Sequence, residues 1–205
     1  HALAIGYSPA YLAENADGIR QDWPRIPLPD SRAALLASAR LGRQIAALLD
    51  TETPVDGVTQ NPCQELKNIA VLSSTKNLSV TAGWGHGGKN GVTMPGKGRL
   101  ETRPFTAEES GLQSLGESTH DIFLNETACW RNVPEKVWDY TIGGYQVIKK
   151  WLSYREHELL GRPISVDEAR EVMHTARRLA ALILLQPDLD ANYQRAKENS
   201  FVWNP

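Results

Sequence analysis

Cysteine is scarce in this sequence. With Cys63 and Cys129 alone, no disulfide framework and no four-thiolate zinc site can be built. Long apolar runs are missing as well: the most apolar stretch is Leu182-Ile183-Leu184-Leu185, far short of the 18 or more residues that span a membrane. Neither sign of charge dominates, since 22 basic residues face 24 acidic ones for a formal net charge of -2. The chain opens on His1 and shows no basic segment followed by an apolar one, so a secretory signal is not expected. These absences lead us to expect a segment of a longer polypeptide that works in a reducing cytoplasm without a membrane partner.

Enzyme signatures are also lacking. His157-Glu158 begins like a zincin helix, but Gly161 stands where the second imidazole is required. His174 lies among apolar positions at helical spacing and reads as a packed or partly exposed histidine. The segment Gly83-Trp84-Gly85-His86-Gly87-Gly88-Lys89 shares only its glycines with a phosphate loop, because no Ser or Thr follows the lysine. There is no Gly-x-Ser-x-Gly elbow, and neither cysteine sits in a nucleophile signature. Asn77-Leu78-Ser79 and Asn125-Glu126-Thr127 are glycosylation sequons by pattern alone.

What is present is a globular composition, 41% hydrophobic and 22% charged, over 205 residues. A chain of this size buries roughly 70% of its unfolded surface. Helix signals sit at both ends and strand signals between them. Ser8-Pro9 caps a short helix running to about Asn15. Prolines at 24, 27 and 29 make an extended connector. Asp30 or Ser31 then caps a helix ending near Asp50, in which Gly42 implies close contact with another element. In the centre, Asn68 to Ser73, Leu78 to Ala82 and the run from Ile122 to Val133 are β-prone. The glycines between Gly83 and Gly91 predict a long mobile loop. Helical spacing returns from Tyr145 through Ile148, Trp151, Leu152 and Leu159. Ser165-Val166-Asp167-Glu168 is a capping box. It opens a core helix on Ala169, Val172, Met173, Ala176, Leu179, Ala180, Ile183 and Leu184, predicted to stop at Gln186-Pro187.

The expected fold is therefore α+β: a central antiparallel sheet with a long glycine-rich loop, flanked by N-terminal and C-terminal helices in one domain over 1–205. Its parts are a helical lead-in over 1–50, a strand-rich centre over 67–140 and a helical part over 145–199. The flanking helices are expected to pack on one face of the sheet.

Charge is unevenly spread. Between Lys67 and Phe105 six cations face Glu101 alone, a local net charge of +5 that leaves -7 for the remainder. Lys76, Trp84, His86, Lys89, Asn90, Lys97, Arg99 and Arg103 combine cations for phosphates, groups that hydrogen-bond base edges and an aromatic, on backbone rich in glycine. Tyr145, Lys149, Lys150, Tyr154 and Arg155 form a second group on and beside one helix. The same residues also fit a solvated loop and a helix with inward aromatics and exposed lysines.

A resemblance weighs on this choice. The runs Asp121-Ile122-Phe123-Leu124-Asn125-Glu126, Trp130-Arg131-Asn132-Val133-Pro134 and Val137-Trp138-Asp139-Tyr140-Thr141-Ile142-Gly143-Gly144-Tyr145-Gln146-Val147-Ile148-Lys149-Lys150-Trp151-Leu152-Ser153-Tyr154-Arg155 resemble the C-terminal specificity region of bacterial adenine-specific DNA methyltransferases, among them the Type ISP restriction-modification enzymes. Ser8-Pro9-Ala10-Tyr11 and Arg25-Ile26-Pro27-Leu28-Pro29 resemble the segment following the methyltransferase core in that family. The centre, about Thr51 to Thr119, matches least, as a target-recognition module that differs between members would. The resemblance implies duplex DNA and an upstream methyltransferase domain of the same polypeptide as partners, with S-adenosylmethionine bound by the parent enzyme. No cofactor, metal or catalytic residue is expected in this chain, because Asn61-Pro62 is followed by Cys63-Gln64 where the family's catalytic Asn/Asp-Pro-Pro-Tyr/Phe motif would need a second proline and an aromatic. The competing expectations are a structural coupler that binds neighbouring protein domains with little DNA contact, and an independent small enzyme.

Overall fold

The computed structural model describes residues 1–202, apart from the side chain of Ser110. The last three residues of the expected 1–205 domain lie outside the described residues. The first helices are α1 (Ala2–Gly6), α2 (Pro9–Glu14), α3 (Ala16–Gln21), α4 (Arg32–Leu49) and α5 (Gln64–Lys67). Strands β1 (Val71–Leu72), β2 (Gly85–Gly87), β3 (Thr93–Pro95), β4 (Leu100–Arg103), β5 (Thr119–Phe123) and β6 (Cys129–Pro134) follow. Then come α6 (Glu135–Trp138), β7 (Thr141–Ile142), β8 (Tyr145–Gln146), α7 (Val147–Ser153), α8 (His157–Leu160) and α9 (Val166–Glu198). The class is mixed helix and strand with an antiparallel four-stranded sheet and helices at both ends, as the sequence predicts.

Packing divides the chain into two compact units, residues 1–53 with those from Leu184 onward, and residues 54–183. In the first unit Ser8 caps α2 by accepting from the Tyr11 amide, and Ser31 caps α4 by accepting from the Ala34 amide. Gly42 lets α1 lie against α4, since a Cβ there would sit 3.3 Å from the His1 nitrogen. Ile5, Tyr11, Tyr193 and Ala196 form this unit's core, with Tyr11 and Tyr193 edge to face at 5.4 Å. Helix α9 does not stop at Pro187 but runs through it to Glu198. A proline inside a helix costs about 3 kcal/mol. Beyond it Leu189, Tyr193 and Ala196 are buried, and Asp190 accepts hydrogen bonds from the Ser8 hydroxyl and the Ala10 amide. Those tertiary contacts outweigh the local cost.

The second unit is built on the sheet β1-β6-β5-β4, antiparallel throughout. Trp130 on β6 donates its indole N–H to the Ala169 carbonyl of α9, and Ala169, Val172, Ala176, Leu179, Ala180 and Ile183 are buried as their spacing requires. Met173 is half-buried, whereas Leu184 is exposed, so these two depart from the buried stripe that the pattern suggests. The segment from Leu78 to Ala82 is not a strand. Its carbonyls at Leu78 and Val80 accept from the Ile164 and His157 amides, and the Thr81 amide donates to Leu124, so its bonds go to three separate partners and no ladder forms.

The glycine-rich segment departs furthest from expectation. It is a two-stranded hairpin, with Gly85, His86 and Gly87 paired to Pro95, Met94 and Thr93. Its base is held by the buried carboxylate of Glu156, which accepts from the Gly83, Trp84 and Gly85 amides at 3.2, 2.7 and 3.4 Å. Gly85 is pressed against α7, where a Cβ would fall 2.0 Å from the Ser153 carbonyl oxygen. Trp84 is fully buried, edge to face with Trp138, and donates its indole N–H to the Phe123 carbonyl.

Glu156→Ala would leave three amide donors without their acceptor, and is expected to cost about 3 kcal/mol in urea unfolding. The capping box at α9 gives a pH signature. Arg162, and then the Ser165 amide, hold the Glu168 carboxyl down at about 2, below its ordinary 4.5. The stabilisation it gives is complete above about 4.5 and is lost as the pH falls towards about 2. The stability difference between the protein and Glu168→Gln should therefore be constant near neutrality and shrink through that acid window.

Candidate nucleic-acid interface

Helix α7 is in contact with elements that carry residues of both candidate groups. The β2–β3 hairpin packs against it, and the β7–β8 hairpin, tipped by Gly143 and Gly144, leads directly into it. Pro95, Gly144, Tyr145, Gln146, Lys149 and Lys150 line an open cleft of about 210 Å³ between them. Lys150 is held over two exposed rings, its Nζ lying 4.6 Å from the Tyr145 centroid and 4.8 Å from that of Tyr154. Such contacts fix the ammonium without neutralising it. Beyond the cleft, His86, Lys89 and Asn90 are exposed on the β2–β3 hairpin, with Asn90 at its tip in the left-handed region (φ 62°). Among the described residues, Lys89, Lys97 and Lys149 make no ion pair.

Other candidates are placed elsewhere. Trp84 belongs to the core and is out of reach of any ligand, because the indole was drawn under the hairpin that was expected to carry it outward. Arg103 is committed to the protein: its guanidinium donates to Glu109 at 2.7 and 3.0 Å and to Asp121 at 3.3 Å. Glu109 is correspondingly held below its usual carboxylate range, chiefly by that hydrogen bonding, and Arg103 is raised. Arg99 has its guanidinium carbon over the Phe123 ring, 4.2 Å from the centroid, pairs with Glu101 at 2.9 Å, and lines a second, polar cleft of about 450 Å³ with Asn77, Thr81, Asn125, Glu126 and Thr127. Arg155 stacks on Trp151 at 4.0 Å. Lys76 and Lys97 are exposed and line neither cleft.

The sequence reading missed Met94 and Ile142, exposed apolar side chains on the two hairpins, and Gln146 in the cleft. The Gly143-Gly144 pair between β-prone residues was the available signal for the second hairpin. Glu156 gave no signal, since a carboxylate in a charged stretch reads as solvated until its burial is known. His120 and His174 are both pushed below their ordinary values, by burial first. Neither belongs to a metal cluster, and among the described residues no group of three or more His, Cys, Asp or Glu is placed to hold an ion. No described helix is long and apolar enough to cross a membrane.

This surface carries ammonium groups without ion pairs among the described residues, an imidazole, an amide and two exposed tyrosines, borne on the two hairpins and on α7 and its C-terminal end. Neither the curated proteins nor the solved structures gave a match to the chain. The family model of the Type ISP C-terminal specificity domain does match it, over residues 2–181. With nearly its whole length so covered, the chain belongs to the Type ISP C-terminal specificity domain family.

Proposed function

We propose that this chain is the DNA target-recognition module of a site-specific adenine-N6 DNA methyltransferase of the restriction-modification type. It holds duplex DNA while an attached catalytic region turns out the adenine and methylates it. The observation that carries this reading is the docking of the β2–β3 hairpin, which bears Lys89, on α7, which bears Lys149 and Lys150, none of the three making an ion pair among the described residues, in a member of a specificity-domain family. A two-stranded ribbon is an element that the major groove admits, and His86 and Asn90 at its exposed end are able to hydrogen-bond base edges. Lys149 and Lys150, on a regular helix, suit phosphates and so position the duplex.

S-adenosylmethionine is assigned to the attached region. A donor-binding glycine loop needs free backbone amides, and those of Gly83, Trp84 and Gly85 are occupied by Glu156. The glycine-rich segment therefore does not fit that cofactor. Arg103, with its bonds to Glu109 and Asp121, is assigned to holding β4, β5 and the segment after β4 together.

The test is a titration of duplex DNA at several salt concentrations. Binding should weaken steeply with salt, and Lys149→Ala with Lys150→Ala should lower the slope of log affinity against log salt by about 1.8, at about 0.9 per phosphate contact. Because phosphates carry no sequence information, that loss should be similar on all sequences. A folded chain that binds no duplex even at low salt would transfer the assignment to a coupler of protein domains.

A further inference from the structure

The exposed face of α4 carries charge that nothing in the fold uses. Its 18 residues contain Arg32, Arg40 and Arg43 and no Asp or Glu. At about 100° per residue the three arginines and Leu36 fall within an arc of about 80°, opposite the side that holds Ser38, Gly42 and Ile45. Those three opposite residues are buried. All three arginines are exposed, and among the described residues none of their side chains makes an ion pair or hydrogen bond.

This is not how a merely solvated face is made. Such faces mix signs, with acid and base three or four residues apart. Here Arg40 and Arg43 are like charges at that spacing, and Arg32 sits in the first turn, where the helix dipole disfavours a cation. Both placements work against the helix, and no acidic residue in α4 offsets them. The neighbouring exposed positions Ala33, Ala37 and Ala47 are small, so an extended polyanion can approach closely. Arg32 and Arg43 are about 16 Å apart along the axis, enough for consecutive phosphates of one strand to be met by all three guanidinium groups.

We propose that this face of α4 is a second contact for the DNA phosphate backbone, distinct from the hairpin surface on the other unit. The proposal rests on the DNA-binding reading above and adds a site to it. Because it engages phosphates alone, it contributes affinity on every sequence and no discrimination between sequences.

The decisive variant is Arg32→Gln, Arg40→Gln, Arg43→Gln combined. Glutamine is close to arginine in helix propensity and removes charges that oppose the helix, so circular dichroism should be unchanged and thermal melting unchanged or slightly raised. With a random-sequence duplex at low salt, affinity should fall on the order of tenfold or more, and the salt slope should decrease by about 2.7. Unchanged affinity and slope would overturn the proposal, and if Lys149→Ala with Lys150→Ala still weakens binding, the hairpin surface stands without it. Loss in the α4 variant but not in the lysine variant would support this face and remove the hairpin surface. A wild-type chain that binds no duplex would overturn both.

Discussion

The Glu156 carboxylate is the constraint on which the second unit depends. A buried carboxylate is costly unless its oxygens are satisfied, and here three successive backbone amides satisfy it. The bond is reciprocal in effect. Gly83, Trp84 and Gly85 find an acceptor that no strand partner supplies, and the chain is fixed at the point where a run of glycines would otherwise be free to wander. Pairing of Gly85 with Pro95 then starts the hairpin, and Trp84 is carried beneath it to meet Trp138 and the Phe123 carbonyl. The exposed residues His86, Lys89 and Asn90 therefore stand on a rigid base. Contacts borne on such a base lose little conformational entropy on binding.

Tertiary packing also decides the two places where local rules fail. Pro187 is a helix stop by its own chemistry, yet α9 continues because Asp190, Asn192 and Tyr193 each find a specific partner among Ser8, Ala10, Ser38 and Glu14. Leu78 to Ala82 has strand composition, yet its polar backbone is satisfied by single bonds to the segments around His157 and Ile164 and to Leu124. In both cases the deciding partner lies tens of residues away in sequence, beyond the reach of periodicity.

What was legible in the sequence was whatever is encoded locally. The Ser8, Ser31 and Ser165 caps, the tight fit at Gly42 and the buried stripe of α9 follow from spacing and side-chain chemistry within a turn or two. The lysines around α7 were legible as a charged group, but their meeting with the hairpin was not, since β2 and α7 are more than fifty residues apart. Trp84 shows the opposite failure. An aromatic among glycines and cations has the composition of a base-stacking residue, and only the path of the chain sets it in the core.

Whether a cation is free matters more than how many there are. The central segment owes part of its +5 to Arg99 and Arg103, whose charges are opposed by Glu101, Glu109 and Asp121. Its surplus is therefore carried by lysines, and the hairpin that bears Lys89 docks on α7, which bears Lys149 and Lys150. Lys150 is positioned by the rings of Tyr145 and Tyr154, which steer the ammonium while leaving its full charge for an anion. A chain with a net charge of -2 can thus present a positive surface at one place, because its charges are unevenly spread along the sequence. Within the central segment the division of labour follows from geometry: Arg103, with its planar fork, bridges Glu109 and Asp121 inside the fold, whereas Lys89 and Lys97 are left outward.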